Sequence, residues 1–555
     1  MSADTLVDID DSEYQTFVPI DPLEFQRELW PKVRFYDKQR EIIHSVEHNK
    51  ITVVPASNMM GKDFVAGYLA LSFFLRFPVV RVITTSVSDD HLRVLWSEIN
   101  RFIVTCKYPL TKNKGGCLKT NHRDVTKWRN GEECKVSYLR GKVSEKGEGM
   151  AGHHAPMTLA VIDEACHDNK TEVLTEYGWR LFANLNGSEK LLTMNPDTRE
   201  AEYQLPTRLY RSYRKGKMYQ CEKRGCSFSV TPNHRMLWSK YRSNCNIKWS
   251  KYYLEAISNI NNTNRKIPRV FLWRGINPET YIIPSSQTER SYYDDRIVSM
   301  KDWLEFLGWY LSEGSVTVNP RCYVTCITQK DRTVLDRLYT IAVRMGFAPK
   351  IYEGNEASVL KIHNPQLAKH LITFGKYCYE KRVPEFVYKL SPSLIQILVQ
   401  AYIKGDGYRK QNSNVIYTSS KKMADGLQIL IYKLGKQSTV TKRQLIGITA
   451  PNGTSRHDGY VVSMPDDTSN IKLTKDYIDL VDYDGEVFCA HVPKYHTLFT
   501  RRDGVCMWSG NSGVDDIVFT QMETWAKRIL IIGNPLPCTN FFSRFVEEGD
   551  IEAPI

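Results

Sequence analysis

A strand motif that begins near residue 158 is not completed until residue 512, and this break constrains the fold more than any other feature of the chain. Thr158-Leu-Ala-Val-Ile-Asp163-Glu164-Ala165 reads as an apolar strand ending in paired carboxylates. In an α/β sheet the next pieces should be a helix and another core strand. Instead, Cys166-His-Asp-Asn-Lys-Thr-Glu-Val-Leu-Thr175 opens a long region of short strand-like runs and Gly, Pro and Asn turns. The α/β pattern resumes at Ser512-Gly-Val-Asp-Asp-Ile and runs to Arg528-Ile-Leu-Ile-Ile-Gly533-Asn534-Pro535, a buried strand with a polar turn at its end. Joining Ala165 to Ser512 gives Val-Ile-Asp-Glu-Ala-Ser-Gly-Val-Asp-Asp, one continuous motif. Residues 166–511 therefore read as an insertion placed two positions after Glu164. The expectation is that it holds the acid apart from its next strand and silences the flanks until it is removed.

The flanks carry a second signal. Ile51-Thr-Val-Val-Pro55 is a short strand, and 64–75 read as a buried helix. Between them, Gly61-Lys62-Asp63 fits the P-loop pattern, in which backbone N–H groups and a Lys ammonium cradle phosphates. Ala56 replaces the usual first Gly, and Asp63 stands where Ser or Thr holds Mg²⁺. Alone, this fits an ordinary loop before a core helix equally well. With the apolar strand ending in Asp163-Glu164 it points to an ATPase, where the Asp holds Mg²⁺ and the Glu orients water. Asn534 in the Gly-Asn-Pro turn suits the sensing of a γ-phosphate.

The chemistry at the two joints says how an insertion could leave. Cys166 offers a thiol to the Ala165 carbonyl, the Asn511 amide can cyclise onto its own carbonyl, and Ser512 offers a hydroxyl as second acyl acceptor. With the N-terminal block from Cys166, the block Thr231-Pro-Asn-His234, and Val492-Pro-Lys-Tyr-His496-Thr-Leu-Phe499 through Trp508-Ser-Gly-Asn511-Ser512, residues 166–511 resemble an intein. The resemblance implies that Thr231 and His234 polarise the Ala165–Cys166 peptide and protonate its leaving amine, while His496 assists Asn511. Gly510 departs from the His usual before the terminal Asn.

Inside the insertion, Phe306-Leu-Gly-Trp-Tyr-Leu-Ser-Glu313-Gly314 and Val399-Gln-Ala-Tyr-Ile-Lys-Gly-Asp406-Gly407 resemble the paired helices of LAGLIDADG (DOD-type) homing endonucleases. Small residues at Gly308, Ser312, Ala401 and Gly405 would let the helices pack closely, so that Glu313 and Asp406 hold a divalent metal for phosphodiester hydrolysis. Ile327-Thr-Gln-Lys and Tyr417-Thr-Ser-Ser-Lys-Lys422 read as strands with basic edges toward DNA phosphates. Cys221 and Cys226, with Cys245 downstream, read as unligated thiols because no second ligand pair stands near.

The joined flanks, with Phe35-Tyr-Asp-Lys-Gln39, Gly61-Lys62, Val82-Ile-Thr-Thr-Ser86, Asp163-Glu164 and Gly533-Asn534-Pro535, resemble the ATPase half of a phage large terminase subunit. A helicase-like motor is the alternative host, and a non-splicing DNA-binding fusion is the alternative for the whole. Gln39 reads as a surface residue or an adenine contact. The expected fold is an α/β P-loop ATPase (doubly wound sheet) split by a β-rich Hint-type splicing domain that carries an α+β endonuclease. The expected boundaries are 1–165 and 512–555 for the ATPase, 166–295 and 476–511 for splicing, and 296–475 for the nuclease. The terminase family also carries an RNase H-like nuclease, and ending at Ile555 reads as an incomplete precursor. The expected cofactors are ATP and Mg²⁺, at Asp163 for the ATPase and at Glu313 and Asp406 for the nuclease. The expected partners are double-stranded DNA and, by resemblance, portal and small terminase subunits. A basic excess of 13 charges agrees with a nucleic-acid partner. No export signal or membrane span is legible, so a bacterial cytoplasm, with a phage or prophage gene, is expected.

Overall fold

The computed structural model describes residues 20–55, 61–85, 89–129, 132–142, 155–162, 166–223, 225–232, 234–240, 251–260, 264–289, 291–450, 453–467, 470–511 and 526–533. Asp163, Glu164, Ser512, Asn534 and Cys245 lie outside these residues, and of Lys62 only the backbone is described.

The flanks form one seven-stranded sheet. Its N-terminal strands are β1 (Ile51–Pro55), β2 (Val80–Thr85), β3 (Leu118–Asn121), β4 (Asp124–Arg129), β5 (Glu132–Lys142) and β6 (Met157–Ile162). The seventh is Arg528–Gly533, from the far side of the insertion. It lies between β1 and β6, parallel to both, with Ile529 opposite Ile51 and Ala160. Apolar runs buried on both sides suit parallel strands covered by helices, and the helix Lys62–Arg76 supplies Val65, Leu69, Phe73 and Phe74 to that core. The expectation that the insertion holds the flank strands apart is therefore corrected. The strand after the insertion is already paired with the strand before it, because the two ends of the insertion lie close enough for both flanks to reach one sheet.

The insertion is closed by its own longest pairing. Arg208–Cys221 runs antiparallel to Asp479–His491 through thirteen paired positions, from Arg208 opposite His491 to Gln220 opposite Asp479. With His167–Asp168 and Phe228–Val230 these strands close a small barrel. A second sheet runs from Ala201–Gln204 through Leu191–Met194, Glu172–Thr175, Thr497–Arg502 and Val505–Gly510 to Thr439–Arg443 and the strands beyond it. One hydrophobic core continues beneath it, from Leu174 and Trp508 to Trp303 and Leu398.

Strand pairing cuts across the expected internal boundaries. Ile471–Leu473 pairs with Arg265–Ile267, and Thr280–Ile283 pairs with Arg296–Ser299, which leads into the helix Met300–Glu313. The segment 417–422 also differs from expectation. Its strand ends at Thr418, and Ser420 caps the helix Lys421–Lys433 by accepting from the Met423 N–H. The reason is local: a Ser followed by a helix-forming run satisfies an orphan donor better as a cap than as a strand residue.

Arg501 ties the two parts of the insertion together. It is buried, forms a bidentate pair with Glu172 (2.6 and 2.8 Å), and reaches Asp425 (2.6 Å) and Gln428 (3.0 Å) on the helix Lys421–Lys433. Removing a buried cation strands its carboxylates, so Arg501→Met is expected to lower stability by about 3 kcal/mol. The double variant Arg501→Met with Glu172→Gln should recover part of that loss. Urea denaturation of the set checks this, and an undiminished stability in the single variant would contradict it.

Candidate functional site

Two groups of chemically competent residues stand out, one at the ends of the insertion and one in its middle. The first is organised by segment 231–235. Cys166 N–H donates to Thr231 Oγ1 (2.9 Å), and Thr231 N–H donates to the Cys166 carbonyl (3.0 Å). Three residues on, His234 Nε2 meets Ser509 Oγ at 2.7 Å. Arg235 then grips Asn511 twice: its Nη2 donates to Asn511 Oδ1 (2.8 Å) and its Nε to the Asn511 carbonyl (3.2 Å). One short turn thus touches both ends of the insertion. The Asn511 amide nitrogen donates to the Val492 carbonyl (3.1 Å), and its backbone N–H to the His496 carbonyl (2.8 Å). His496 sits at φ +55°, a left-handed conformation, and the bond it makes to Asn511 comes from its main chain.

Burial decides the protonation of this centre. His234 is held well below the usual His range, first by burial and then by His167 and Arg235. It is neutral, so it is an acceptor for a thiol proton rather than the ready acid that the resemblance implies. Arg235 was not legible as a site residue. A signal was present in Gly510: a Cβ there would stand 2.5 Å from the Arg235 carbonyl, so no side chain, His included, fits beside that strand. The guanidinium on the neighbouring strand takes the place of the missing imidazole.

The second group lies where Met300–Glu313 crosses Pro392–Asp406. A Cβ on Gly308 would stand 2.6 Å from both Ala401 Cβ and the Leu398 carbonyl, and one on Gly405 would collide with Ser312. The small residues therefore set the close approach, as expected from the two nonamers. Both helices end in acids at the same end of the seam. Burial, and then the Glu313 charge, raise Asp406 to about 6, against the pull of the Tyr402 hydroxyl and Lys381. Lys381, missed in the sequence, is buried beside them and drawn down to about 8 by burial. Its ammonium donates to the Tyr310 and Gly314 carbonyls (2.8 Å each), satisfying the open end of the first helix. Gln329 Nε2 lies 3.4 Å from Glu313 Oε1. Two carboxylates crowded in a half-buried pocket, one of them already biased toward its proton, fit a divalent cation that would relieve their repulsion.

In the flanks, Gly61 has φ +70° and opens the helix Lys62–Arg76, with Asp63 in its first turn. Gln39 is not a surface residue: it is buried, and a Cβ on Gly61 would meet its Nε2 at 2.7 Å. The loop that bends back onto this helix start removes Gln39 from water. Cys221 and Cys226 are free buried thiols.

No family model matches the chain. Among curated proteins it is similar to an ATP-dependent Clp protease proteolytic subunit of Chlamydomonas moewusii, 24% identical over 325 residues, or 53% of this chain and 32% of that protein. It is also similar to the C-terminal section of a DNA-directed RNA polymerase subunit beta of Stigeoclonium helveticum, 23% identical over 417 residues, or 63% of this chain and 37% of that one. A third relative is DNA-directed RNA polymerase subunit Rpo1C of Methanocaldococcus jannaschii, 30% identical over 153 residues, or 26% and 17% of the two chains. The chain spans about a third of the length of the first two relatives. Its neighbours among solved structures are homing endonucleases. I-DmoI in complex with DNA and Mn is 14% identical with a TM-score of 0.23, covering 30% of this chain and 89% of that one. I-WcaI bound to its DNA recognition sequence is 12% identical with a TM-score of 0.23, covering 30% and 77%. Among the described residues, no helix is long and apolar enough to cross a membrane.

The Asp406 environment generates a pH-dependent prediction. The folded chain holds this carboxyl at about 6, above the roughly 3.9 of an unfolded Asp, so the folded state binds the proton more tightly. The penalty on the folded state is absent below about pH 4, grows between about pH 4 and 6, and is constant above that. Asp406→Asn is therefore expected to raise stability by about 1–3 kcal/mol at pH 8 and to leave it nearly unchanged at pH 4. Urea midpoints of the two chains at both pH values decide it, and an equal effect at both would refute the assignment.

Proposed function

We propose that this chain is the precursor of a DNA-packaging ATPase of the large-terminase type, interrupted by a self-splicing intein that carries a LAGLIDADG endonuclease. The observation that carries the splicing reading is segment 231–235, which engages Cys166 and Asn511 together. The relatives reported above bear unrelated activities in their names, as expected when the shared segment is an insertion and not the host. None of those three is a terminase; that part rests on the flank motifs and on the sheet they form.

In this reading Cys166 Sγ attacks the Ala165 carbonyl carbon, and the bond to the Cys166 nitrogen breaks as that nitrogen gains a proton. Thr231 fixes the plane of the peptide through the Cys166 N–H. Neutral His234 takes the thiol proton and returns it to the leaving amine. The Ser512 hydroxyl displaces the thioester sulfur and gives a branched ester. The Asn511 amide nitrogen then attacks its own carbonyl carbon, breaking the bond to Ser512 and forming a succinimide. Arg235 Nε points at the oxygen on which charge develops in that step, as an oxyanion donor does. An O-to-N shift leaves Ala165 joined to Ser512.

Intact-mass analysis tests this. The wild-type chain is expected to give an excised piece and a shorter ligated chain, and Cys166→Ala to stay whole. Arg235→Met should slow release at Asn511 by about 10²–10³-fold while still accumulating branched ester, the scale of a lost oxyanion donor. A wild-type chain that stays whole would favour the non-splicing DNA-binding fusion.

The nuclease reading rests on Asp406 and Glu313 at one end of a glycine-lined seam. A divalent metal held there supplies a bound water and stabilises the leaving oxygen. The chain's own part is to position the two acids, with Lys381 beside them. Tyr408, Arg409, Lys410, Lys442 and Arg443 on the adjoining strands are exposed and suited to backbone phosphates. The full chain is expected to cut uninterrupted-gene DNA at the Ala165–Ser512 junction only with Mg²⁺. Glu313→Gln should abolish cutting and retain binding, and Mg²⁺-dependent cutting by that variant would place the centre elsewhere.

A further inference from the structure

The barrel that closes the insertion contains polar atoms that neither the fold nor the splicing steps use. His167 lies between Val230 and Phe488 in the barrel register, one residue from Cys166. It is fully buried, and neither ring nitrogen has a hydrogen-bond partner. The His234 ring lies 4.1 Å away, centroid to centroid, and its Nδ1 is likewise buried without a partner. Cys489, beside Phe488, completes the group: one donor atom each from His167, His234 and Cys489 lie within 4.8 Å of one another, all buried. Each buried polar atom left unsatisfied costs about 1–3 kcal/mol. Three such atoms facing a thiol in one spot call for a ligand that accepts lone pairs, and a water cannot do so for two acceptor nitrogens and a sulfur as well as a cation can.

We infer that His167, His234 and Cys489 form a binding site for a borderline-soft divalent cation of the zinc class, and that occupancy of this site arrests splicing. Two imidazoles and a thiolate are the donor types zinc selects, and three protein donors leave one open position. A tetrahedral ion with bonds of roughly 2.0–2.3 Å needs its donors roughly 3.3–3.8 Å apart, so small side-chain rotations inside the 4.8 Å limit suffice. The three residues come from distant parts of the insertion, the strands His167–Asp168 and Asp479–His491 and the turn before Arg235–Lys240, so a bound ion would also pin the barrel shut. His234 cannot ligate a cation through Nδ1 and exchange a proton with Cys166 through the same nitrogen. The binding claim stands without the splicing reading; the arrest claim rests on it.

Cobalt(II) added to the metal-stripped full chain carrying Cys166→Ala, which leaves all three donors in place, tests the site directly. One equivalent is expected to bind with intense tetrahedral d–d absorption and a thiolate-to-cobalt charge-transfer band. Cys489→Ser should remove the charge-transfer band, and His167→Gln should weaken binding about a hundredfold or more. Circular dichroism confirms that each variant is folded, and His167→Gln serves if Cys489→Ser is not. Cys221→Ser with Cys226→Ser, a separate buried thiol pair, should leave the spectrum unchanged. No binding, or a band lost with Cys221 and Cys226 but kept without Cys489, would overturn the site. In the otherwise wild-type chain, refolding with zinc should stop splicing, EDTA should restore it, and His167→Gln should splice in zinc. Arrest that persists in both His167→Gln and Cys489→Ser would overturn the regulatory claim. A chain that binds cobalt as expected yet never splices would instead sink the splicing proposal and leave the site standing.

Discussion

The antiparallel pairing of 208–220 with 479–491 is the constraint on which the other parts depend. It joins strands separated by more than half of the insertion and closes the small barrel in which His167–Asp168 also lies. That closure seats Cys166 against Thr231 and, through the strands that follow, Asn511 against Arg235. With the two ends gathered at one place, the strand Arg528–Gly533 can enter the sheet between β1 and β6. An insertion whose ends were far apart would have to tear that sheet, losing backbone hydrogen bonds that parallel strands cannot replace with water. The same geometry therefore serves the host fold and the chemistry at the joints.

The middle of the insertion obeys a different constraint, the close approach of two helices. Gly308 and Gly405 bring backbones together where any side chain would collide, and the cost of that packing is electrostatic. Two acids delivered to one end of the seam cannot both shed water and keep their charge easily. Asp406 accordingly holds its proton more tightly than a free carboxyl, and Lys381 is pulled toward neutrality in the same pocket. Arg501 then binds this part to the splicing sheet with two carboxylates from different elements. The two parts share one core instead of being joined by a linker, so the boundaries expected at 295/296 and 475/476 fall within paired strands.

The legible parts of the site were those where chemistry dictates residue type at a fixed sequence offset. Thr231, His234 and the terminal Asn511 announced themselves because acyl shifts need a nucleophile, a proton carrier and a cyclising amide. Glu313 and Asp406 did so because each ends an apolar helix in a small residue, an acid and Gly. Arg235, Lys381 and His167 were invisible for one shared reason. Each works through a partner far away in the chain: Asn511, the carbonyls of residues 310–314, and Cys489 with His234. A lone Arg, Lys or His in a strand-rich stretch has no local pattern to set it apart from a solvated side chain. Gln39 was misread for the same reason, since only the fold of the loop around Gly61 buries it.

By itself the sequence determined that the chain is two flanks around an insertion, where the joints lie, and which residues there can move acyl groups. Those properties depend on periodicity, on small residues at helical spacing and on functional groups adjacent in the chain. Only the tertiary structure decided that the flank strands are paired across the insertion, that His234 is neutral, and that a guanidinium stands where Gly510 leaves room for no side chain. These depend on burial and on contacts hundreds of residues apart. Desolvation, steric overlap and hydrogen-bond direction are properties of a packed interior, and they do not exist until the chain has closed.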